Sequence, residues 1–197
     1  PVIEDLQVCE GSSTVLTPEP GGEVFVPTCG LTGDVVITGA MDGTLSGGVP
    51  KFAELYVTAD TDFTGWEVRN YYNGNTTAYF TSELSSLGTV TAGEYIYVIN
   101  SGGDDDFQTW FNLTPTEFAA MNIVIGNIAI NGDDCLRLID VGTNVVDQFG
   151  EFGVDGTGTF WEYLDGWAYR NNETGPNGPT FVQSEWTFSG PNALDGV

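Results

Sequence analysis

No histidine occurs anywhere in the 197 residues. That absence removes Ser-His-Asp and Cys-His catalysis, His-ligated zinc or copper, and every imidazole proton shuttle. Basic residues are nearly as scarce: Lys51, Arg69, Arg137 and Arg170 stand against 28 Asp plus Glu, a formal net charge of −24. Affinity for DNA or RNA is driven by counterion release as Lys and Arg neutralise phosphates, so four cations disfavour a nucleic-acid partner. An anionic membrane surface is disfavoured for the same reason. Long apolar runs are missing too. The longest mostly apolar stretch, Met121 to Ile130, holds ten residues with two Asn, well short of the roughly 20 that span a bilayer. Cysteine is limited to Cys9, Cys29 and Cys135, with no C-x-x-C spacing to support a metal or redox role.

What remains is a foldable acidic chain. Apolar residues make up 41% and aromatics 13%, so the acidity sits on a globular domain and not on a disordered tail. The length suits one large all-β domain, or one domain with a small extension. Gly and Pro punctuate short Val/Ile/Thr/Tyr/Phe runs, the pattern of antiparallel β structure. Strands are predicted at Glu23 to Pro27, Val35 to Gly39, Phe52 to Thr58, Trp66 to Tyr71, Ala78 to Thr81, Tyr95 to Ile99, Leu136 to Asp140, Val145 to Phe149 and Trp167 to Arg170. Turns are predicted at Asp42-Gly43, Asn73-Gly74, Asn131-Gly132 and Asp165-Gly166, all residues that tolerate positive φ. One short helix is expected after Thr114-Pro115-Thr116-Glu117, a capping box with Pro at the first helical position.

Residues 1–32 read as an N-terminal extension, its apolar pattern broken by Pro18, Pro20, Gly21, Gly22 and Pro27; residues 33–197 read as the main domain. In an oxidising compartment Cys9 and Cys29 would close a loop contributing about 3 kcal/mol, leaving Cys135 as a buried small apolar residue. The extension is then either a disulfide-tethered strand or a strand donated to a neighbouring copy. The chain begins at Pro1, which reads as a mature chain whose signal peptide has been removed. Sequons at Asn75, Asn112 and Asn172 suit surface loops of a secreted or cell-surface protein.

From Val36 onward a set of motifs carries a resemblance. They are Ile37-Thr38-Gly39-Ala40-Met41-Asp42-Gly43, Leu45-Ser46-Gly47-Gly48, Pro50-Lys51-Phe52-Ala53-Glu54-Leu55-Tyr56 and Gly93-Glu94-Tyr95-Ile96-Tyr97-Val98-Ile99. Further along stand Asn131-Gly132-Asp133-Asp134, Val145-Val146-Asp147-Gln148-Phe149-Gly150, Asp165-Gly166-Trp167-Ala168-Tyr169-Arg170 and Trp186-Thr187-Phe188. Together they resemble the lamin-tail-like domains of secreted bacterial and algal proteins, often appended to extracellular nucleases. The resemblance implies an immunoglobulin-like antiparallel β-sandwich without an active site, serving as a binding or architectural module.

Three chemistries compete for the acids and aromatics. Calcium takes six to eight oxygens, and Asp42, Asp133, Asp134 and Asp155 sit in Gly-flanked loops that suit it, although no EF-hand loop is present. The triplet Asp104 to Asp106 reads as an exposed loop. Trp161 with Tyr163, and Trp167 with Tyr169, are i, i+2 pairs that share a strand face and suit stacking on a sugar ring. Glu151, Asp155 and Glu162 are close enough in sequence to imagine a glycosidase pair, but acid pairs are inevitable in this composition and no enzyme is expected. The expected function is a non-catalytic surface protein that self-assembles with copies of itself, as a filament or surface-layer subunit, stabilised by calcium. The alternative is a glycan-binding module or an accessory part of a secreted hydrolase such as an extracellular nuclease.

Overall fold

A computed structural model describes residues 34–196. The N-terminal strand at Glu23 to Pro27 and the Cys9–Cys29 disulfide lie outside the described residues. Twelve strands and two short helices follow one another: β1 (Val35–Leu45), β2 (Val49–Val57), β3 (Thr61–Asp62), β4 (Glu67–Tyr71), β5 (Phe80–Glu83), β6 (Thr89–Val90), β7 (Tyr95–Asn100), α1 (Asp104–Trp110), α2 (Pro115–Ala119), β8 (Asn122–Gly126), β9 (Cys135–Ile139), β10 (Val145–Phe149), β11 (Gly166–Arg170) and β12 (Trp186–Phe188). They form an all-β sandwich. One sheet has the order β12-β11-β1-β2-β7-β8, the other β10-β9-β4-β5, and β3 pairs with β6 as a small ribbon.

Alternation along each strand builds the core. On β2, Ala53, Leu55 and Val57 turn inward and are fully buried, while Phe52, Glu54 and Tyr56 face the opposite side. Val35, Ile37, Ile96 and Val98 of the same sheet meet Val68, Leu136, Leu138 and Phe149 of the other in one apolar cluster. A second cluster lies on the outer face of the six-stranded sheet. There Phe107 of α1 packs on Met41, Phe52 and Ile99, with Trp110 and Phe118 at its margin.

Every ladder is antiparallel except β7–β8, which is parallel. A parallel pair needs a long crossover, and residues 101–121 supply it with α1 and α2. α2 begins with the expected capping box: Glu117 N–H donates to Thr114 Oγ1 and Thr114 N–H donates to Glu117 Oε2. Asp104, Asp105 and Asp106 are the first turn of α1, where carboxylates suit the positive end of the helix dipole, and not the loop that the sequence suggested.

β1 also runs further than predicted. Asp42-Gly43 is not a turn, because β1 continues through it to Leu45 and reverses at Ser46 to Gly48. A side chain at Gly43 would lie 2.3 Å from the Val49 carbonyl oxygen, so glycine there serves a close backbone approach inside the strand. Asn73 and Gly74 do turn, with φ of 45° and 73°. Cys135 is buried with a free thiol, pushed up to about 12 by burial.

One polar cross-link joins the sheets. Thr38 forms a bulge in β1, since Ile37 pairs with Leu55 and Gly39 with Glu54. The freed polar groups of Ile37 find side chains instead: its N–H donates to Asp147 Oδ2 at 2.8 Å, and its carbonyl accepts from Arg170 Nε at 2.8 Å. Arg170 of β11 donates to both Asp147 oxygens, on β10, at 2.7 and 2.8 Å and to Glu185 at 2.7 Å, and it lies over the Trp186 ring. Asp147 also accepts from Asn177 N–H.

Candidate functional site

Two places on the molecule gather polar or aromatic groups beyond what packing requires. The first is a groove of about 310 Å³ on the outer face of the six-stranded sheet. Register explains it. Tyr169, Gly39, Glu54 and Tyr97 lie in one row across β11, β1, β2 and β7, and Trp167, Met41, Phe52 and Ile99 lie in the next. Gly39 contributes no side chain, so the groove floor is backbone. Trp167 and Tyr169 form one wall, stacked with ring centroids 5.3 Å apart and planes at 19°. Phe52, Trp110 and Phe111 close the end beneath α1. Tyr169 is 49% exposed and Phe111 43%, a large aromatic surface to leave in water.

Opposite the aromatic wall is Glu54, half-buried and held in place. Thr38 Oγ1 donates to Glu54 Oε1 at 2.8 Å. The Tyr97 hydroxyl lies on the same carboxylate; burial first, and then the Glu54 charge, push that phenol well above its ordinary range. Tyr56 and Tyr95 extend the aromatic face, their rings 4.9 Å apart. From β11 to β7 this face spans three strand spacings, about 14 Å. A larger hollow, about 690 Å³, lies between Phe160, Phe181, Trp186 and Phe188, but no charged side chain lines it.

The structure divides the four aromatics singled out from sequence. Trp167 and Tyr169 stand on the groove wall. Trp161 and Tyr163 are fully buried against Phe149, so they are core and not a sugar platform. Strand alternation puts Trp167 and Tyr169 on one face of β11, whereas Trp161 and Tyr163 lie in the loop before that strand. Thr38, Gly39, Glu54 and Tyr97 fall within the motifs quoted above but outside the candidate site residues. The available signal was the Phe52, Glu54, Tyr56 alternation, with a glycine in the neighbouring strand.

The second place is one end of the sandwich, where the loops at residues 72–75, 127–134 and 150–163 meet. Asp133 Oδ2 accepts from Thr157 Oγ1 at 2.8 Å, and Asp134 Oδ1 accepts from Asn73 N–H at 3.1 Å. Their other oxygens, Asp133 Oδ1 and Asp134 Oδ2, lie 2.6 and 2.8 Å from one branch of the exposed Asn131 carboxamide, which donates to both when that branch is the NH2. Burial, with Asp133 alongside, pushes the Asp134 carboxyl up to about 7. Burial also raises Asp133, with Asp155 and Glu162 adding to it.

The four loop acids do not form a single group. Asp42 is buried, paired to Lys51, and accepts from Asp165 N–H at 3.2 Å. Asp155 is exposed, and the Thr157 N–H holds its carboxyl below the usual range. Among the described residues, no three acidic or cysteine side chains come together as a metal-holding group. Glu162 accepts from Gly158 N–H, and Glu151 lies at the surface beside Arg137 and Gln148. Asn75, Asn112 and Asn172 are all exposed. No helix among the described residues is long and apolar enough to cross a membrane.

All four cations of the sequence are engaged. Lys51 meets Asp42, Arg69 meets Glu67 at 2.7 Å, and Arg170 meets Asp147 and Glu185. Arg137 donates to Gln148 at 2.7 Å and lies 3.4 Å over the Phe152 ring. No protein-family model matches the chain, and no curated protein matches it either.

Proposed function

We propose that this chain is a non-catalytic extracellular module of lamin-tail-like type that holds a neutral polysaccharide in the groove over Gly39. The observation that carries the reading is a carboxylate pre-oriented by two hydroxyls, facing a stacked Trp–Tyr wall across a floor with no side chain. Aromatic faces take the C–H faces of pyranose rings, and a fixed carboxylate accepts from adjacent sugar hydroxyls. Gly39 supports the same reading from the opposite direction. A Cβ there would meet its nearest atom, the Ala168 carbonyl oxygen, at 3.5 Å, ordinary contact, so the fold does not demand glycine at that position. The ligand is neutral because a chain of net charge −24, with every cation paired or packed on a ring, has nothing to offer a uronate or sulfate.

Affinity electrophoresis through gels containing soluble glucans, mannans, galactans or xylans tests this. Retardation by one of them is expected, with Trp167→Ala/Tyr169→Ala losing about 2 kcal/mol of binding, roughly 30-fold. Gly39→Leu should fill the floor and abolish retardation while leaving the melting temperature within a few degrees. Migration unaffected by every polysaccharide, or retardation that survives both variants, sinks the reading. The competing self-assembly reading predicts a large scattering mass in calcium that falls on chelation. A monomer mass in both conditions removes it.

A further inference from the structure

Each carboxylate of the Asp133–Asp134 pair has one oxygen tied to a protein donor and one turned to a shared point. The tied oxygens are held by Thr157 and Asn73, from different loops. The two remaining oxygens converge on the same branch of the Asn131 carboxamide, at 2.6 and 2.8 Å. An independent observation points to the same spot. Asn70 of β4 is 99% buried, since its exposure is 1%, and its carboxamide lies against the Asp134 carboxylate with no other hydrogen-bond partner. A buried amide branch left without a partner costs about 1–3 kcal/mol, and a group so placed is expected to serve a ligand.

We infer that Asn131, Asp133 and Asp134 hold a calcium ion at this end of the sandwich, with the Asn70 carboxamide oxygen as a fourth, buried ligand. A half-turn of the Asn131 amide replaces its NH2 by oxygen at the point where the two carboxylate oxygens meet. Three oxygens of three side chains then face one another, an arrangement that needs a cation between them. The donors are oxygens only, which selects a hard cation over zinc or copper. Asn131 is exposed and Asp133 nearly buried, so the ion enters from the Asn131 side and waters complete its six to eight ligands. The acids of this site are thus two and not four: Asp42 is neutralised by Lys51, and Asp155 is held by Thr157.

The test is calorimetric titration of chelator-treated full chain with calcium chloride, alongside thermal unfolding. One ion per chain is expected, with Kd near the roughly 10⁻⁴–10⁻³ M of extracellular modules and a melting temperature that climbs with free calcium. Asn131→Ala should weaken binding at least about tenfold. Asp133→Asn should abolish saturable binding, and Asp155→Asn should leave it unchanged. Should Asp133→Asn fail to fold, Asn131→Ala decides, because that side chain is exposed. No saturable heat up to about 10 mM calcium overturns the inference, as does binding that Asn131→Ala leaves intact or that Asp155→Asn removes.

Discussion

Replacing Arg170 by Ala is expected to destabilise the fold by about 3–5 kcal/mol, the cost of leaving a buried charge without its partner. The Arg170 and Asp147 side chains are 2% and 0% exposed, so neither reaches water when the other is removed. One backbone group is orphaned as well, because the Ile37 carbonyl, out of the sheet ladder at the Thr38 bulge, accepts from Arg170 Nε, while the Ile37 N–H keeps Asp147. At 2–4 °C per kcal/mol for a domain of this size, the melting temperature should fall by roughly 6–20 °C. Charge and packing are separated by Arg170→Met/Asp147→Leu, which should be less destabilising than Arg170→Ala alone, since no unpaired ion remains. Urea unfolding of the three proteins measures this. A single variant within about 1 kcal/mol of the parent would mean that water reaches Asp147 and that the sheets are not cross-linked there.

The second large effect lies at Phe149. Its ring is fully buried and meets Trp161, Tyr163, Phe181, Trp186 and Phe188, with centroid separations from 4.6 to 6.4 Å. Phe149→Ala is expected to cost about 3–5 kcal/mol, toward the upper end where the cavity cannot collapse. Collapse is hindered because Trp186 is pinned under Arg170 and Trp161 is backed by Gly150 and Gly156, where any Cβ would meet the indole. Phe149→Leu keeps most of the volume and should cost under about 1.5 kcal/mol. Guanidinium denaturation gives both values, and near-ultraviolet circular dichroism should lose aromatic intensity in the Ala variant only. Equal costs for Ala and Leu would mean that the neighbouring rings close over the gap.

Much of this architecture is legible in the sequence where local chemistry decides. The strand Val145 to Phe149, the turn at Asn73-Gly74 and the capping box at Thr114 need only neighbours to form, and the structure has all three. What is not legible depends on chain segments far apart. Gly43 reads as a turn residue until Val49 is seen against it. β8 reads as an unassigned apolar run because its partner β7 is reached only through the helical crossover. The same holds for the sites. Trp161 and Trp167 each have a tyrosine two places on, yet the first is core in the loop before β11 and the second lines the groove from β11, and that shared local pattern does not distinguish them. The acid-rich loop of Asp133 and Asp134 was legible, but the roles of Asn131 and Asn70 were not, since both emerge only when three loops and β4 meet.

The position of β1 constrains how the chain is made. Its first neighbour, β2, follows directly, but its second, β11, pairs Gly39 with Tyr169 and is synthesised roughly 130 residues later. A nascent chain emerging from a ribosome therefore carries a half-built sheet with one long side of β1 open. During that interval neither Asp147 nor the Ile37 carbonyl has Arg170 to meet. Closure is a long-range event that waits for β11, and such topologies fold slowly. Products that stop before Gly166 would expose that strand side to other chains, the usual route to edge-to-edge aggregation.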